Sequence, residues 1–250
     1  MTPVEWDAGA YDRVADPQLE WGKEVLDRLD LRGDETVLDA GCGTGRLTAL
    51  LLELVPNGRV IGVDGSRAMI ERARQTLGDR VELIVADLLE LELPEPVDVI
   101  FSNATFHWVT NHDRLFQRLH GLVVPGGVLE AQCGAQGNVA EFERAIEALG
   151  GDERFAPYLR GERRAWNFAS VADTEARLER AGWAEIRVRL EPKRVTPREP
   201  RAFLRVVGLA WHLDRLPAAL HDEFIDAVIG SMAQPLVLDY VRLNISARRP

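Results

Sequence analysis

Residues 37–46 read VLDAGCGTGR and lead directly into the apolar run LTALLLELV. Residues 37–39 predict a short β-strand, after which Gly41, Gly43 and Gly45 occupy alternate positions before a helical pattern begins. Glycine permits a sharp strand-to-helix turn and lets a ligand approach the bare N–H groups at the helix N-terminus. This stretch therefore predicts a ligand-binding turn at the end of the first strand of an α/β fold.

The spacing of these glycines indicates the kind of ligand. Dinucleotide-binding turns read G-x-G-x-x-G, whereas this turn reads G-x-G-x-G. Asp39 stands two residues before the first glycine, where a carboxylate is poorly placed beside a diphosphate but can accept from an ammonium group or water. The turn favours a cationic nucleoside, and a nicotinamide-dependent oxidoreductase on a related fold is the alternative.

Strand and helix patterns alternate along the first half of the chain. Such alternation is typical of a parallel sheet with helices on both faces. After Gly134 the alternation becomes less regular, and the first thirty residues are predicted to be helical. Beyond the first strand, the predicted strands are residues 59–64, 80–87, 97–103, 127–133, 184–191 and 237–247, and the predicted helices include residues 66–77, 113–123, 138–149, 173–181, 200–213 and 217–232.

Two more aspartates stand at predicted strand ends. Asp64 closes the second strand and Asp87 closes the third. Ligands of open α/β sheets bind at the carboxyl ends of the strands, where an acidic residue after the second strand can accept both ribose hydroxyls. Asp87 and the backbone N–H of Leu88 can bind the amino edge of an adenine. Each aspartate alone fits a helix cap, but together with the glycine turn they predict an adenosine site.

Composition limits the class of partner. The chain has 250 residues, 46% of them hydrophobic, and a formal net charge of −10, which argues against nucleic-acid binding. No apolar stretch reaches the roughly 20 residues of a membrane-spanning helix. Cys42 and Cys133 are the only cysteines and the N-terminus has no signal-peptide pattern, so we expect a cytoplasmic protein.

The motifs VLDAGCGTG, GVDGS, VADLLEL, FSNATFHWV and VPGGVL resemble the successive motifs of class I S-adenosylmethionine-dependent methyltransferases, over residues 21–132. Within that superfamily, FSNATFHWVTNHDRLF, the Trp6 and Tyr11 entry and the closing DYVRLNISA are most similar to the trans-aconitate methyltransferase group of small-molecule enzymes. The segment YDRVADPQLEWG lacks the Arg-Pro pair expected in that group. The resemblance implies methyl transfer to a carboxylate or a hydroxyl oxygen.

The resemblance also implies the architecture. We expect a Rossmann-like seven-stranded sheet whose last strand is antiparallel, with helices on both faces and a helical cap. A single domain over residues 1–250 would comprise an N-terminal helical lid (1–30), a cofactor-binding core (30–135) and the remaining core strands with substrate-cap insertions (136–250).

The cofactor implied by the resemblance is S-adenosyl-L-methionine, and the site residues follow from it. The three glycines would contact its methionyl and ribose parts, Asp39 its amino group, Asp64 its ribose, and Asp87 with Leu88 its adenine. Met69 would lie against the adenine face and Asn103 would hold the methionyl end. Core packing for Met69 and a turn role for Asn103 are the alternatives.

Catalytic candidates lie close to the fourth strand and in the N-terminal helix. His107 is the candidate general base, which would help a hydroxyl or an amine acceptor and which a carboxylate does not need, and Trp108 would wall the acceptor pocket. Tyr11, Gln18 and Trp21 would form a lid whose aromatic faces favour a sulfonium and whose amide holds the acceptor. A packed loop histidine and an amphipathic helix on the sheet edge are the alternatives.

The segment YLRGERRAWNF is a further candidate for binding an anionic acceptor, although solvated arginines are the alternative. Trp211 and His212 fit either an acceptor-binding or a purely structural role, and no metal site is predicted because the histidines and cysteines are scattered. We expect a monomer or homodimer whose partner is a small-molecule methyl acceptor; a catalytically inactive cofactor-binding module is a second rival. The acceptor candidates in the segment are Arg160, Arg163, Arg164, Trp166 and Phe168.

Overall fold

The computed structural model describes residues 6–159 and 166–250 and contains one seven-stranded sheet with the order β3-β2-β1-β4-β5-β7-β6. Strands β1 to β5 run parallel, and β7 is antiparallel to both β5 and β6. The predicted Rossmann-like sheet with an antiparallel last strand is therefore confirmed. The strands are Thr36–Ala40 (β1), Arg59–Asp64 (β2), Glu82–Val85 (β3), Val97–Asn103 (β4), Val123–Gly134 (β5), Ala184–Val195 (β6) and Leu238–Arg248 (β7).

The helices surround this sheet. Among residues 6–159 and 166–250, no helix combines the length and the hydrophobicity that crossing a membrane requires. The helices are Ala8–Val14 (α1), Asp16–Leu26 (α2), Arg46–Leu54 (α3), Arg67–Leu77 (α4), His112–Leu122 (α5), Ala140–Leu149 (α6), Ala156–Leu159 (α7), Val171–Arg180 (α8), Pro200–Phe203 (α9), Ala210–Leu213 (α10) and His221–Gly230 (α11).

The central strands are buried on both faces. Successive side chains of a strand point to opposite faces, and β1 shows the result. Val37 packs in one apolar cluster with Val25 of α2 and Leu51 of α3, whereas Leu38 packs in another with Phe116 of α5. Helices thus cover both faces of the sheet, as the strand–helix alternation predicts.

A third apolar cluster forms the cap. It combines residues of α6, α9, α10 and α11, among them Phe142, Phe203 and Phe224. Trp21 of α2 and Tyr240 of β7 belong to the same cluster, with ring centroids 5.0 Å apart. The cap is therefore continuous with the N-terminal helices and with the last strand, although these segments are far apart in the sequence.

Several element boundaries differ from the sequence-based prediction. The third strand is shorter, at Glu82–Val85, and β5 already begins at Val123, with a register shift against β4. The helix predicted over residues 200–213 is divided by a π-helical stretch, Leu204–Gly208, where a β-carbon on Gly208 would lie 2.9 Å from the Phe142 ring. The close approach of Phe142 leaves no room for a side chain at Gly208, where this stretch ends.

Candidate active site

A cavity of about 220 Å³ lies where β1, β2 and β4 end and the chain leaves β3. Parallel strands expose their loops at one edge, so residues that are far apart in sequence converge there. We call this cavity the larger cavity, because a smaller one lies beside it. Among the residues that line it are Trp6, Tyr11, Gly41, Gly43, Asp64, Met69, Asp87, Leu88, Asn103, Trp108 and Trp211.

The three glycines of the turn have left-handed backbones, but they face different surroundings. A β-carbon on Gly41 would lie 2.0 Å from Thr105 Oγ1, and one on Gly45 would lie 2.7 Å from Leu77, whereas one on Gly43 would meet nothing within 4 Å. Gly45 does not line the larger cavity. Gly41 and Gly45 thus permit close packing, and Gly43 presents bare backbone to the cavity.

Asp64 fixes the turn to the second strand. Its Oδ2 accepts from the Gly43 N–H at 3.0 Å, and its Oδ1 accepts from the Ser66 N–H at 2.8 Å. Burial, followed by the charge of Asp64, raises the pKa of the neighbouring Tyr11 hydroxyl to about 12. The carboxylate therefore faces a cavity wall with a neutral phenol.

Met69 and Leu88 supply apolar walls, and both are buried. Ser66 caps the helix that carries Met69, because its Oγ accepts from the Met69 N–H at 3.3 Å. Asp87 accepts from the Leu89 N–H at 2.9 Å, which fixes its carboxylate at the rim. Apolar faces with a polar rim fit an aromatic base with exocyclic nitrogen.

Two unpartnered oxygens lie between the N-terminal helix and β4. Asn103 donates from Nδ2 to the Gln18 carbonyl at 2.8 Å, while Asn103 Oδ1 and Gln18 Oε1 are buried with no hydrogen-bond partner among the described residues. Buried acceptors without donors are uncommon in native structures. Asn103 also lines the larger cavity.

Asp39 is placed beneath the turn rather than along a cavity wall. Its Oδ2 accepts from the Thr48 hydroxyl at 2.7 Å, and the carboxyl is 1% exposed. Burial raises its pKa to about 7, and the Thr48 hydrogen bond opposes that shift. The expected direct contact of Asp39 with an amino group therefore stays a prediction.

A smaller cavity of about 60 Å³ adjoins the larger one, and both are lined by Trp6, Tyr11, Ala104 and Trp108. Its walls come from α2, the loop after β4, the cap and β7. The polar lining residues are Gln18, His107, Asn138, Tyr240 and Arg242, and the aromatic ones include Phe142, Trp166 and Phe168.

His107 is buried, and the centroid of its ring lies 5.3 Å from that of Trp108 and 5.8 Å from that of Phe168. Burial lowers its pKa well below the usual value, assisted by Arg242. Its Nδ1 accepts from the Gly134 N–H at 3.3 Å, so in the neutral ring the proton is on Nε2. In this arrangement His107 offers a donor rather than a free lone pair.

Of the remaining predicted residues, Trp21 lines neither cavity and packs against Tyr240 and Arg242. Trp166 and Phe168 stack at 5.4 Å on the smaller cavity. Burial lowers the pKa of His212 to about 4, and its ring lies 5.7 Å from Trp166. The candidates Arg160, Arg163 and Arg164 lie outside the described residues.

The sequence reasoning missed Asn138, Tyr240 and Arg242. The strand pattern around Arg242 contains the signal: Val241 and Leu243 face one apolar cluster, and Tyr240 belongs to another, so both faces are buried. A charged residue in such a strand is unusual. Asn138 has no comparable signal, because its side chain accepts from the Val241 N–H across 103 positions of sequence.

Comparison with known proteins identifies relatives over the whole chain. A family model described as a methyltransferase domain matches residues 37–127. The trans-aconitate 2-methyltransferase of Methylobacterium nodulans is 30% identical over 261 residues, covering 98% of this chain and 99% of that enzyme. The enzyme of the same name from Azoarcus sp. is 42% identical over 127 residues, or 51% of this chain, and that match spans only 50% of its length.

A solved structure shares the fold. Phosphoethanolamine N-methyltransferase 2 of Haemonchus contortus, in complex with phosphomonomethylethanolamine and S-adenosylhomocysteine, aligns with a TM-score of 0.66 at 18% identity. The alignment covers 97% of this chain and 57% of that one. At this identity the likeness concerns the fold alone.

Proposed function

Because this chain belongs to the methyltransferase family that includes the trans-aconitate 2-methyltransferases, we propose that it transfers the methyl group of S-adenosylmethionine to a carboxylate oxygen of a small molecule. The observation that carries the proposal is the convergence of Gly43, Asp64 and Asn103 on one cavity that adjoins a second, smaller one. One cavity suits the cofactor, and the other suits the acceptor.

The larger cavity fits an adenosyl cofactor. The open face of Gly43 leaves room beside the turn, and the Asp64 carboxylate suits ribose hydroxyls. Met69 and Leu88 provide apolar faces for a base, with Asp87 at the rim. The unpartnered Asn103 Oδ1 suits the ammonium group at the methionyl end. The nicotinamide alternative has no support from the family or from the glycine spacing.

The chemistry requires alignment more than acid–base assistance. When bound, S-adenosylmethionine supplies a methyl group on a positively charged sulfur, so that an oxygen nucleophile forms the C–O bond while the C–S bond breaks and its electron pair goes to sulfur. The shared walls Tyr11 and Trp108 would hold the two reactants in line and exclude water. Their aromatic faces also favour a nearby cation.

The state of His107 favours a carboxylate acceptor over a hydroxyl. A hydroxyl must lose its proton to a base, but the His107 Nδ1 lone pair is engaged by the Gly134 N–H. A carboxylate is ionised at neutral pH and needs no base. In this role His107 would orient the acceptor by donating from Nε2, and Gln18 would contact it from the lid side of the smaller cavity.

Two measurements test the proposal. Calorimetric titration should show binding of S-adenosylhomocysteine and none of NADH. Incubation with labelled S-adenosylmethionine and a panel of carboxylic acids and phenols should then give a labelled product that releases methanol in mild base, as a methyl ester does and an aryl methyl ether does not. NADH binding, or a base-stable product only, would contradict the proposal.

A further inference from the structure

Arg242 occupies an unusual position in the middle of β7. It is only 2% exposed, and β7 lies between β5 and β6. Removing a guanidinium from water is costly unless an opposite charge or several hydrogen bonds compensate for it. The contacts of Arg242 therefore indicate whether the protein itself provides that compensation.

The described residues compensate Arg242 only in part. Its Nε donates to Gln132 Oε1 at 3.2 Å, and its guanidinium carbon lies 4.7 Å from the centre of the Trp21 ring. Its Nη2 is buried and has no hydrogen-bond partner among the described residues. None of the carboxylates in the described part of the chain forms an ion pair with the Arg242 guanidinium.

The ionisable groups that act most strongly on Arg242 are neutral. Its pKa is lowered by burial and raised in turn by Cys133, Tyr240 and Tyr11. Burial raises the pKa of the Cys133 thiol and of the Tyr11 hydroxyl to about 12, and it raises that of Tyr240 as well. At neutral pH these neighbours carry no negative charge, so the positive charge of Arg242 is available to a ligand.

Arg242 lines the smaller cavity, together with Gln18, His107 and Asn138. Among the described residues that line either cavity, Arg242 is the only arginine or lysine. The aromatic rings of Phe142, Trp166 and Phe168 make up much of the remaining wall. The smaller cavity therefore combines one buried cation with a largely apolar surface.

A polar network holds the guanidinium from behind. Gln132 donates from Nε2 to Asn244 Oδ1 at 3.1 Å, and the same oxygen accepts from Arg28 at 2.6 Å. Arg28 is itself paired with Glu130 at 3.2 Å. Because both ends of the Gln132 amide are engaged, its oxygen is directed at Arg242. The network fixes the orientation of the guanidinium without neutralising it.

We infer that Arg242 binds the carboxylate of the methyl acceptor and that this acceptor carries an apolar group next to that carboxylate. The inference rests on the proposed function. A guanidinium matches the planar geometry of a carboxylate, and one buried cation balances one anion. The aromatic walls suit an apolar group.

The product of methyl transfer would lose its charge attraction to Arg242. Transfer of the methyl group converts the carboxylate into a neutral ester, so Arg242 loses its counter-ion when the C–O bond forms. The acid should therefore bind at least about tenfold more tightly than its own methyl ester. This difference should depend on Arg242 and can be measured without turnover.

Calorimetry in saturating S-adenosylhomocysteine tests the inference. The probes are phenylacetate, 3-phenylpropionate, their methyl esters and trans-aconitate. We expect Arg242→Met to weaken binding of the aromatic acids by about 30-fold or more and to abolish the difference between acid and ester. Gln132→Glu keeps the arginine but gives it an internal counter-ion, so we expect at least about a tenfold loss of acid binding. Arg187→Gln, which changes an exposed arginine on β6, is the matched control and should bind like the wild type.

The outcomes separate the two proposals. Failure of the wild type to bind S-adenosylhomocysteine contradicts the proposed function. If S-adenosylhomocysteine binds but neither aromatic acid does, if Arg242→Met binds acids as the wild type does, or if trans-aconitate binds best, the inference about Arg242 is wrong. Retained S-adenosylhomocysteine affinity in each variant shows that the variant has folded.

Discussion

The two adjoining cavities are associated with opposite buried charges. Asp39, 1% exposed, lies beneath the glycine turn of the larger cavity, and Arg242, 2% exposed, lies on the wall of the smaller one. Neither has an ion-pair partner within the described chain. Asp39 has the neutral Thr48 hydroxyl as its hydrogen-bond partner, and Arg242 has the neutral Gln132 amide.

This difference indicates how the site selects two ligands. A positively charged cofactor is favoured near Asp39 and Asp64, and a negatively charged acceptor is favoured near Arg242. The residues shared by both cavities, Trp6, Tyr11, Ala104 and Trp108, carry no charge that would screen the two ligands from each other. Binding of one ligand should therefore assist binding of the other through their opposite charges.

The largest expected effect concerns the charge beneath the larger cavity. The pKa of Asp39 is about 7 in the folded protein, above an unfolded value of about 3.9, so folding favours the protonated form. Burying the ionised Asp39 carboxylate costs no stability below the pKa of Asp39 in the unfolded chain. The cost grows as the pH rises above that value and levels off once the pH exceeds 7. Between pH 5 and 8, the ligand-free wild type should lose stability relative to Asp39→Asn by on the order of 2 kcal/mol.

Urea unfolding at several pH values measures this effect. Asp79→Asn, which removes an exposed carboxylate, provides the control and should follow the wild type. Parallel pH dependences for the wild type and Asp39→Asn would show that Asp39 is not an uncompensated buried acid. In that case Asp39 would not provide a buried negative charge next to the larger cavity.

The second effect concerns cofactor binding alone. Asp64→Ala should weaken S-adenosylhomocysteine binding by about 2 kcal/mol, because charge-assisted hydrogen bonds to the ribose are lost. Calorimetry of Asp64→Ala with S-adenosylhomocysteine and with the aromatic acids distinguishes the two cavities. The variant should keep the direct contacts that bind the acids in the smaller cavity. Unchanged S-adenosylhomocysteine affinity would remove Asp64 from the cofactor site.

The third effect concerns the acceptor side. His107→Ala should reduce turnover about tenfold while leaving S-adenosylhomocysteine affinity unchanged, because the residue would contact only the acceptor. Since burial lowers the pKa of His107 well below its usual value, the ring is neutral at pH 7, and wild-type turnover should show no decline at the pH where an ordinary histidine titrates. Equal losses of turnover and cofactor affinity, or a decline with a midpoint near 6.5, would contradict this role.

The smallest effect concerns the open face of the turn. Alanine at Gly43, where φ is +54°, should cost about 1 kcal/mol of stability and place a methyl group in the larger cavity. Gly137→Ala is the matched control, since Gly137 has φ +82° and equally open surroundings but does not line the cavity. Only Gly43→Ala should weaken S-adenosylhomocysteine binding, and equal affinity in the two variants would refute this placement.

The two cavities also differ in how far the sequence predicts them. Gly43, Asp64 and Asp87 follow individual strands, so local patterns and the rule that strand ends converge are sufficient to bring them together. Arg242 reaches the site only because β7 inserts between β5 and β6, and its pairing with β5 joins residues more than 100 positions apart. The alternation of side chains around Arg242 indicates its burial, but not which cavity it lines.

Asp39 shows a further limit of prediction from sequence. Its position before the glycine turn predicts a ligand contact, whereas its side chain accepts from Thr48 in the following helix. Asp39 and Thr48 are only nine residues apart, but the backbone geometry of the turn decides whether the Asp39 carboxylate contacts a ligand or the helix. The helix predicted over residues 200–213 is likewise divided by a π-helical stretch that ends at Gly208, which packs against Phe142, and the local sequence pattern does not contain that distant contact.

The most direct test of the account is a crystal structure of the protein with S-adenosylhomocysteine and phenylacetate bound together. We expect adenosine in the larger cavity, with its ribose hydroxyls on Asp64 and its base beside Met69 and Leu88, and the phenylacetate carboxylate within hydrogen-bond distance of the Arg242 guanidinium. Adenosine outside the larger cavity, or a carboxylate bound away from Arg242, would contradict the account.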